Sequence, residues 1–223
     1  MSDTLRLIFD WAEVWALLIP LFQLSIKPKQ PAYLQPVIIY LFAALLLNLS
    51  VDILVEYNHY HIGPESISNN PLYNIHALVR FSCFSYFFIR LRQTFYKKIK
   101  NIIPFVFILF LIIDFGFFED FFFPAHLSGN LFSAEAFLLL VYCMLFYLSK
   151  LKDEAGALSG DKDFWVVTGL SIYVVTSFFV FLFYVPMIKE NPHLANNMWD
   201  VNNAAYIILC IFITKAFYVP ASN

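Results

Sequence analysis

Apolar residues run through this chain in long blocks separated by short polar breaks. The run Phe105-Val106-Phe107-Ile108-Leu109-Phe110-Leu111-Ile112-Ile113 has no polar member, whereas a membrane-barrel strand alternates apolar and polar positions. A helix needs about 17–25 mostly apolar residues to cross a bilayer. Seven segments qualify: Leu7 to Ile26, Pro36 to Leu54, Leu72 to Leu91, Ile102 to Phe118, Leu131 to Leu148, Phe164 to Met187 and Val201 to Val219. The pattern predicts an all-α integral membrane bundle of seven transmembrane helices, with residues 1–223 forming a single seven-helix transmembrane domain. Connections this short leave no room for a separate catalytic module.

Composition supports the same class. Charged residues are 13% of the 223, about half the share of a soluble domain. Phe alone occurs 27 times, more apolar surface than a soluble fold of this size could hide. A soluble enzyme, a disordered chain and a secreted disulfide scaffold are excluded. The net charge of −2, with no Lys/Arg cluster outside short loops, argues against a nucleic-acid partner. Cys83, Cys143 and Cys210 all fall within predicted helices and read as buried thiols. No cofactor is called for.

Loop charge sets the expected orientation. One side collects Lys27, Lys29, Arg90, Arg92, Lys97, Lys98, Lys100, Lys150, Lys152, Lys162 and Lys215; the other has Arg6 and Lys189 only. The expectation is an N-terminus outside and a C-terminus in the cytoplasm of a bacterial inner (plasma) membrane. The first helix lacks a basic n-region and is interrupted by Asp10 and Glu13, so it reads as a retained span rather than a signal peptide. Ala155 to Asp161 reads as a flexible cytoplasmic loop.

On that orientation, twelve of sixteen carboxylates and all five histidines fall on the outer side or in the outer half. Residues three or four apart share a helix face. Asp10 and Glu13 do so on helix 1, Asn48, Asp52 and Glu56 on helix 2, and His76 and Arg80 on helix 3. Helix 4 adds Asp114, helix 5 Glu135, and helix 7 Asp200 with Asn202 and Asn203. Ionisable groups in a bilayer are costly and mark function, so these are expected to face a polar, water-accessible cavity open to the outside.

Arg80 lies roughly 12 Å into helix 3, too deep to snorkel, and needs a carboxylate: Asp114, Asp52 or Glu135. It is either a structural ion pair or a ligand-holding cation. His76 is either a hydrogen-bonded packing residue or a ligand and pH sensor. A divalent metal at His59 and His61 with Glu56 is a weaker alternative. Lys215 on helix 7 invites comparison with retinal proteins. It lies about 6 Å from the helix end with no acid one turn upstream, which argues against retinal. No nucleophile with its own His and carboxylate, phosphate loop or dinucleotide fingerprint is found.

The stretch Asn69-Asn70-Pro71-Leu72-Tyr73-Asn74-Ile75-His76, followed by Phe84-Ser85-Tyr86-Phe87-Phe88, resembles helix 3 of a seven-helix membrane domain in certain bacterial sensor histidine kinases. Phe164-Trp165-Val166-Val167-Thr168-Gly169-Leu170-Ser171-Ile172-Tyr173 and Trp199-Asp200-Val201-Asn202-Asn203 are similar to its helices 6 and 7. The resemblance implies an input module joined to a cytoplasmic kinase. This chain stops at Asn223 and carries Arg80 where a neutral or acidic residue is expected. A stand-alone module signalling through a separate protein is the resulting expectation.

Three functions follow. The first is a membrane sensor whose outer cavity binds a small ligand, ion or proton and which relays to a cytoplasmic signalling protein. The second is a proton- or cation-coupled transporter or channel subunit, weakened by an inner half almost free of ionisable groups. The third is an intramembrane metal-dependent hydrolase, which lacks the paired-His helix spacing.

Overall fold

A computed structural model of the chain describes residues 9, 11–60, 68–91, 96–121, 127–152 and 161–220, with backbone alone for 58–60 and 189. Among the described residues the protein is all-α, with seven α-helices and no strand. They are α1 (Ala12–Ile26), α2 (Gln35–Tyr60, preceded by a 3-10 turn over Ala32–Leu34), α3 (Asn70–Arg90), α4 (Lys97–Phe117), α5 (Gly129–Lys152), α6 (Lys162–Glu190) and α7 (Pro192–Tyr218).

Several boundaries are written locally. α3 starts after Asn69 with Pro71 in its first turn, where a missing N–H costs nothing. A single residue, Asn191, separates α6 from α7. Its N–H donates to the Met187 carbonyl at 2.8 Å, and its side-chain oxygen accepts from the Leu194 N–H at 3.1 Å. It thereby closes one helix and caps the next, and Pro192 opens α7. Apolar patterning placed the start of this helix near Val201. The polar stretch from Pro192 to Asp200 is helical too, so Asp200 lies about two turns inside α7 rather than at its mouth.

Among the described residues, five helical segments are long and apolar enough to cross a membrane: Ala32–Tyr57, Lys97–Phe117, Gly129–Lys152, Lys162–Ile188 and Pro192–Tyr218. α1 is apolar but has 15 residues. α3 has 21, interrupted by Asn74, His76, Arg80 and Ser85. By length and composition this is a membrane protein. The surface agrees: Phe22, Leu46, Phe105, Ile112 and Phe179 are all exposed, a distribution suited to lipid and hostile to water.

The helices close into a ring. α1 lies against α2 and α7, α2 against α3, α3 against α5, α5 against α6, and α6 against α7. α4 packs outside the ring, on α3 and α5. α6 and α7 approach closely at Gly169, where a Cβ would lie 2.5 Å from the Phe212 Cβ. One end of the interior is packed by Phe84, Phe87, Phe88, Leu139, Phe146, Leu209 and Ile213, all buried. Phe88 stacks on Tyr142 with ring centroids 4.9 Å apart. The three cysteines are free thiols; Cys143 and Cys210 are buried and Cys83 half-buried.

Candidate functional site

The polar residues converge at the other end of the ring. α3 supplies the centre, because its apolar positions are interrupted on one face by His76 and Arg80, four residues apart, and both are buried. A helix can place a cation this deep only if the ring supplies its counter-charge. Arg80 meets Glu135 of α5 in a two-point contact: Nε to Oε1 and Nη2 to Oε2, both 2.6 Å. Its remaining Nη1 donates to the Tyr173 hydroxyl of α6 at 2.6 Å. The Tyr173 ring lies under the guanidinium, 5.1 Å from Cζ to the centroid. Arg80 is 5% exposed and Glu135 1%. Of the three carboxylates the sequence offered, Glu135 is the partner.

Around this pair runs a shell of aromatic and amide groups. Tyr173 packs edge-on to Tyr206 of α7. The Tyr40 hydroxyl of α2 donates to the Tyr206 hydroxyl at 3.2 Å. Tyr40 also stacks on His76, with centroids 6.0 Å apart. Ser177 of α6 donates to the Asn202 side-chain oxygen of α7 at 2.7 Å. Two amides reach α1 and the chain before it: Asn48 donates to the Glu13 carbonyl at 2.9 Å and Asn203 to the Phe9 carbonyl at 3.2 Å. Side-chain hydrogen bonds between helices are the usual polar glue of a membrane bundle.

Between these groups lies a cavity of about 20 Å³ lined by Glu13, Tyr73, His76, Arg80, Asn202 and Tyr206, with Phe132, Tyr173, Phe181 and Trp199 completing its wall. A space of this size holds one water molecule. Glu13 is within electrostatic reach of Asp52 on α2 and of Arg80. The Nε2 of His76 is buried and has no hydrogen-bond partner among the described residues. A water, an ion or a shared proton at this point would meet two oppositely charged side chains and an imidazole.

The structure thus brings together Glu13, His76, Arg80, Glu135 and Asn202, with Asp52 beside them. It does not bring in Asp114. That carboxyl faces away from Arg80 on α4, where Oδ1 accepts from the Asn130 amide at 3.2 Å. It lines a separate groove of about 900 Å³ with Phe110, Phe118 and Phe137. Glu56 is exposed on α2 and Asp200 half-buried on α7. Asp10 and His61 lie outside the described residues, as does the side chain of His59. Among the described residues no three His, Cys, Asp or Glu side chains gather to hold a metal; the His59–His61 pair falls outside that statement. Lys215 is exposed near the end of α7, its ammonium over the Trp165 and Tyr218 rings.

Sequence reasoning missed the tyrosines. Tyr40, Tyr73, Tyr173 and Tyr206 are part of the polar centre, yet in a chain that is 20% aromatic they look like more packing. The available signal was the hydroxyl itself, since a Tyr deep in a span needs a partner where a Phe does not. No protein-family model, no curated protein and no solved structure matches the chain.

Proposed function

We propose that the protein is a seven-span membrane sensor, N-terminus outside, whose buried polar centre takes up a proton or a small ion. Uptake shifts the packing of the ring, and a partner on the lysine-rich side reads the shift. The observation that carries this reading is the water-sized cavity shared by Glu13 of α1 and by His76 and Arg80 of α3. Its volume is far below the roughly 300 Å³ of a small-molecule site. A proton or a single ion fits; an organic ligand does not.

The apolar interior beyond Arg80 favours sensing over conduction. Phe84, Phe87, Phe88, Leu139, Leu209 and Ile213 close the ring there, and a transported ion would need polar groups in their place. The resemblance of helices 3, 6 and 7 to sensor-kinase input modules points the same way. A ligand moves a conformational equilibrium only through unequal affinity for its two states. Here the difference would come from charging or discharging a group wedged between α1, α3 and α7.

The test is a pH titration of the purified protein in nanodiscs, following the fluorescence of Trp199, which lines the cavity. The polar groups that share the cavity with His76 or stack on it are Glu13 from α1, Tyr40 from α2, Tyr73 and Arg80 on its own helix, Tyr173 from α6 and Asn202 and Tyr206 from α7; Glu135 from α5 pairs with Arg80, and Asp52 from α2 lies within electrostatic reach of Glu13. A reversible transition between about pH 4 and pH 9 is expected, lost or displaced in His76→Gln or Glu13→Gln. A response in the wild type that is flat both to pH and to added monovalent or divalent salts, with the protein folded throughout, refutes the proposal. Proton uptake into proteoliposomes would replace it with a transport reading.

A further inference from the structure

A second site lies at the opposite end of the ring from Glu13 and His76. The C-termini of α1 and α7, the N-terminus of α6 and the turn before α2 meet there around a cavity of about 420 Å³. Its walls include Lys27, Lys29, Lys162, Gln30, Phe217 and Val219. No carboxylate lines it among the described residues. Asp161 and Asp163, the acids that flank Lys162 in sequence, are engaged by Lys150 at 2.6 and 3.5 Å.

The lysines are held in place without being neutralised. Lys162 is 7% exposed and donates to the Gln30 side-chain oxygen at 2.9 Å. Lys27 donates to the Tyr218 carbonyl at 2.7 Å, and Gln30 donates to the Lys27 and Phe217 carbonyls. Each ammonium has three donors, and among the described residues each of these two lysines makes one hydrogen bond, to a neutral oxygen. Lys27 lies close enough to Lys162 to repel it. Burying an ammonium without a counter-charge is costly. A built, rigid, unbalanced positive pocket is the complement of an anion.

We propose that this pocket binds a phosphate group. Its remaining walls are apolar, and it opens at the ends of membrane-length helices. A phosphate there comes from an anionic phospholipid headgroup or from a soluble phosphate ligand; the ammonium chemistry is the same. The lipid source places the phosphodiester against Lys27 and Lys162 and the first acyl carbons along Phe217 and Val219.

The experiment uses the full chain in detergent, with two probes. Native mass spectrometry scores retention of phosphatidylglycerol against phosphatidylcholine, and a melting curve with and without inorganic phosphate scores the soluble source. The variants are Lys162→Gln and Lys29→Glu. Lys29 is exposed, so its replacement leaves the packing intact. Preferential phosphatidylglycerol retention, reduced about fivefold per lysine removed, establishes the site with a lipid occupant. A phosphate-dependent rise in melting temperature, lost in both variants, establishes it with a soluble one. The proposal is overturned if neither probe binds, or if binding is unchanged in folded Lys162→Gln and Lys29→Glu proteins.

Discussion

Arg80 and Glu135 meet edge to edge in the middle of the ring, with both guanidinium–carboxylate contacts at 2.6 Å and both side chains sealed from solvent. The two residues are 55 positions apart and come from α3 and α5. Tyr173 completes the arrangement from α6, so one cation ties three helices to a single point. A two-point Arg–carboxylate contact fixes distance and rotation together.

Such a pair makes the two partners interdependent rather than the fold strong. Removing either one leaves the other charge buried and uncompensated, at a cost of about 3–5 kcal/mol. Arg80→Gln and Glu135→Gln should therefore each lower the melting temperature and the yield of folded protein. The double variant Arg80→Met with Glu135→Leu should recover most of the loss, because it removes both charges at similar volume. Thermal unfolding in nanodiscs decides between them. Single variants that melt with the wild type would show that the pair does not hold the ring.

Tyr173 acts on Arg80 in two ways, and they separate by substitution. Its hydroxyl accepts a short hydrogen bond from Nη1, and its ring lies beneath the guanidinium. Tyr173→Phe keeps the ring and removes the acceptor, at a cost of about 1.5–3 kcal/mol for a hydrogen bond to a charged group. Tyr173→Leu removes the ring as well, for a further ~0.5–2 kcal/mol. The expected order of melting temperatures is wild type, then Phe, then Leu. Equal temperatures for wild type and Phe would mean that the hydroxyl is dispensable.

The legible part of this molecule is the part with a one-dimensional signature. Unbroken apolar runs placed the helices, and the spacing of His76 and Arg80 placed them on one buried face of α3. What crosses between helices left no such trace. Glu135 and Asp114 looked equally suited to Arg80, yet α5 is in the ring and α4 outside it, and only the packing separates the two. Lys100 is a second case. It reads as one more loop charge setting orientation, but its ammonium is buried and donates to the Phe88 carbonyl at 3.0 Å, closing the end of α3. Charge counting along a sequence cannot tell a solvated lysine from one that caps a neighbouring helix.

Two glycines that look alike in sequence should respond in opposite ways to a methyl group. At Gly169 the added Cβ would lie 2.5 Å from the Phe212 Cβ and 3.4 Å from the Leu209 Cα, forcing α6 and α7 apart. Gly169→Ala should destabilise the protein by about 1–3 kcal/mol, the usual penalty of overpacking. At Gly116 nothing lies within 4 Å of the added atom. Gly116→Ala should be neutral or stabilise α4 by roughly 0.5–1 kcal/mol, because alanine is the better helix former. Melting curves of the two variants side by side test the α6–α7 contact directly; a harmless Gly169→Ala would contradict the packing described.

The threading of the chain can be resolved one helix at a time by labelling single cysteines with a membrane-impermeant maleimide, in a background without Cys83, Cys143 and Cys210. Lys98 and His193 are exposed and lie on either side of α4, α5 and α6. Each of those three helices is long and apolar enough to cross, and an odd number of crossings puts the two positions on opposite faces. Lys98→Cys should label only after permeabilisation and His193→Cys in intact cells, because lysines and arginines gather on the cytoplasmic side. Lys29 is also exposed and is separated from Lys98 by α2 and α3. If α3 spans despite its polar face, Lys29→Cys and Lys98→Cys will label from the same side. Labelling from opposite sides would mean that α3 does not cross, and would take the Arg80 site out of the middle of the membrane. An epitope at the N-terminus then tests α1 by the same logic: accessibility opposite to that of Lys29→Cys means that α1 crosses, and completes seven spans.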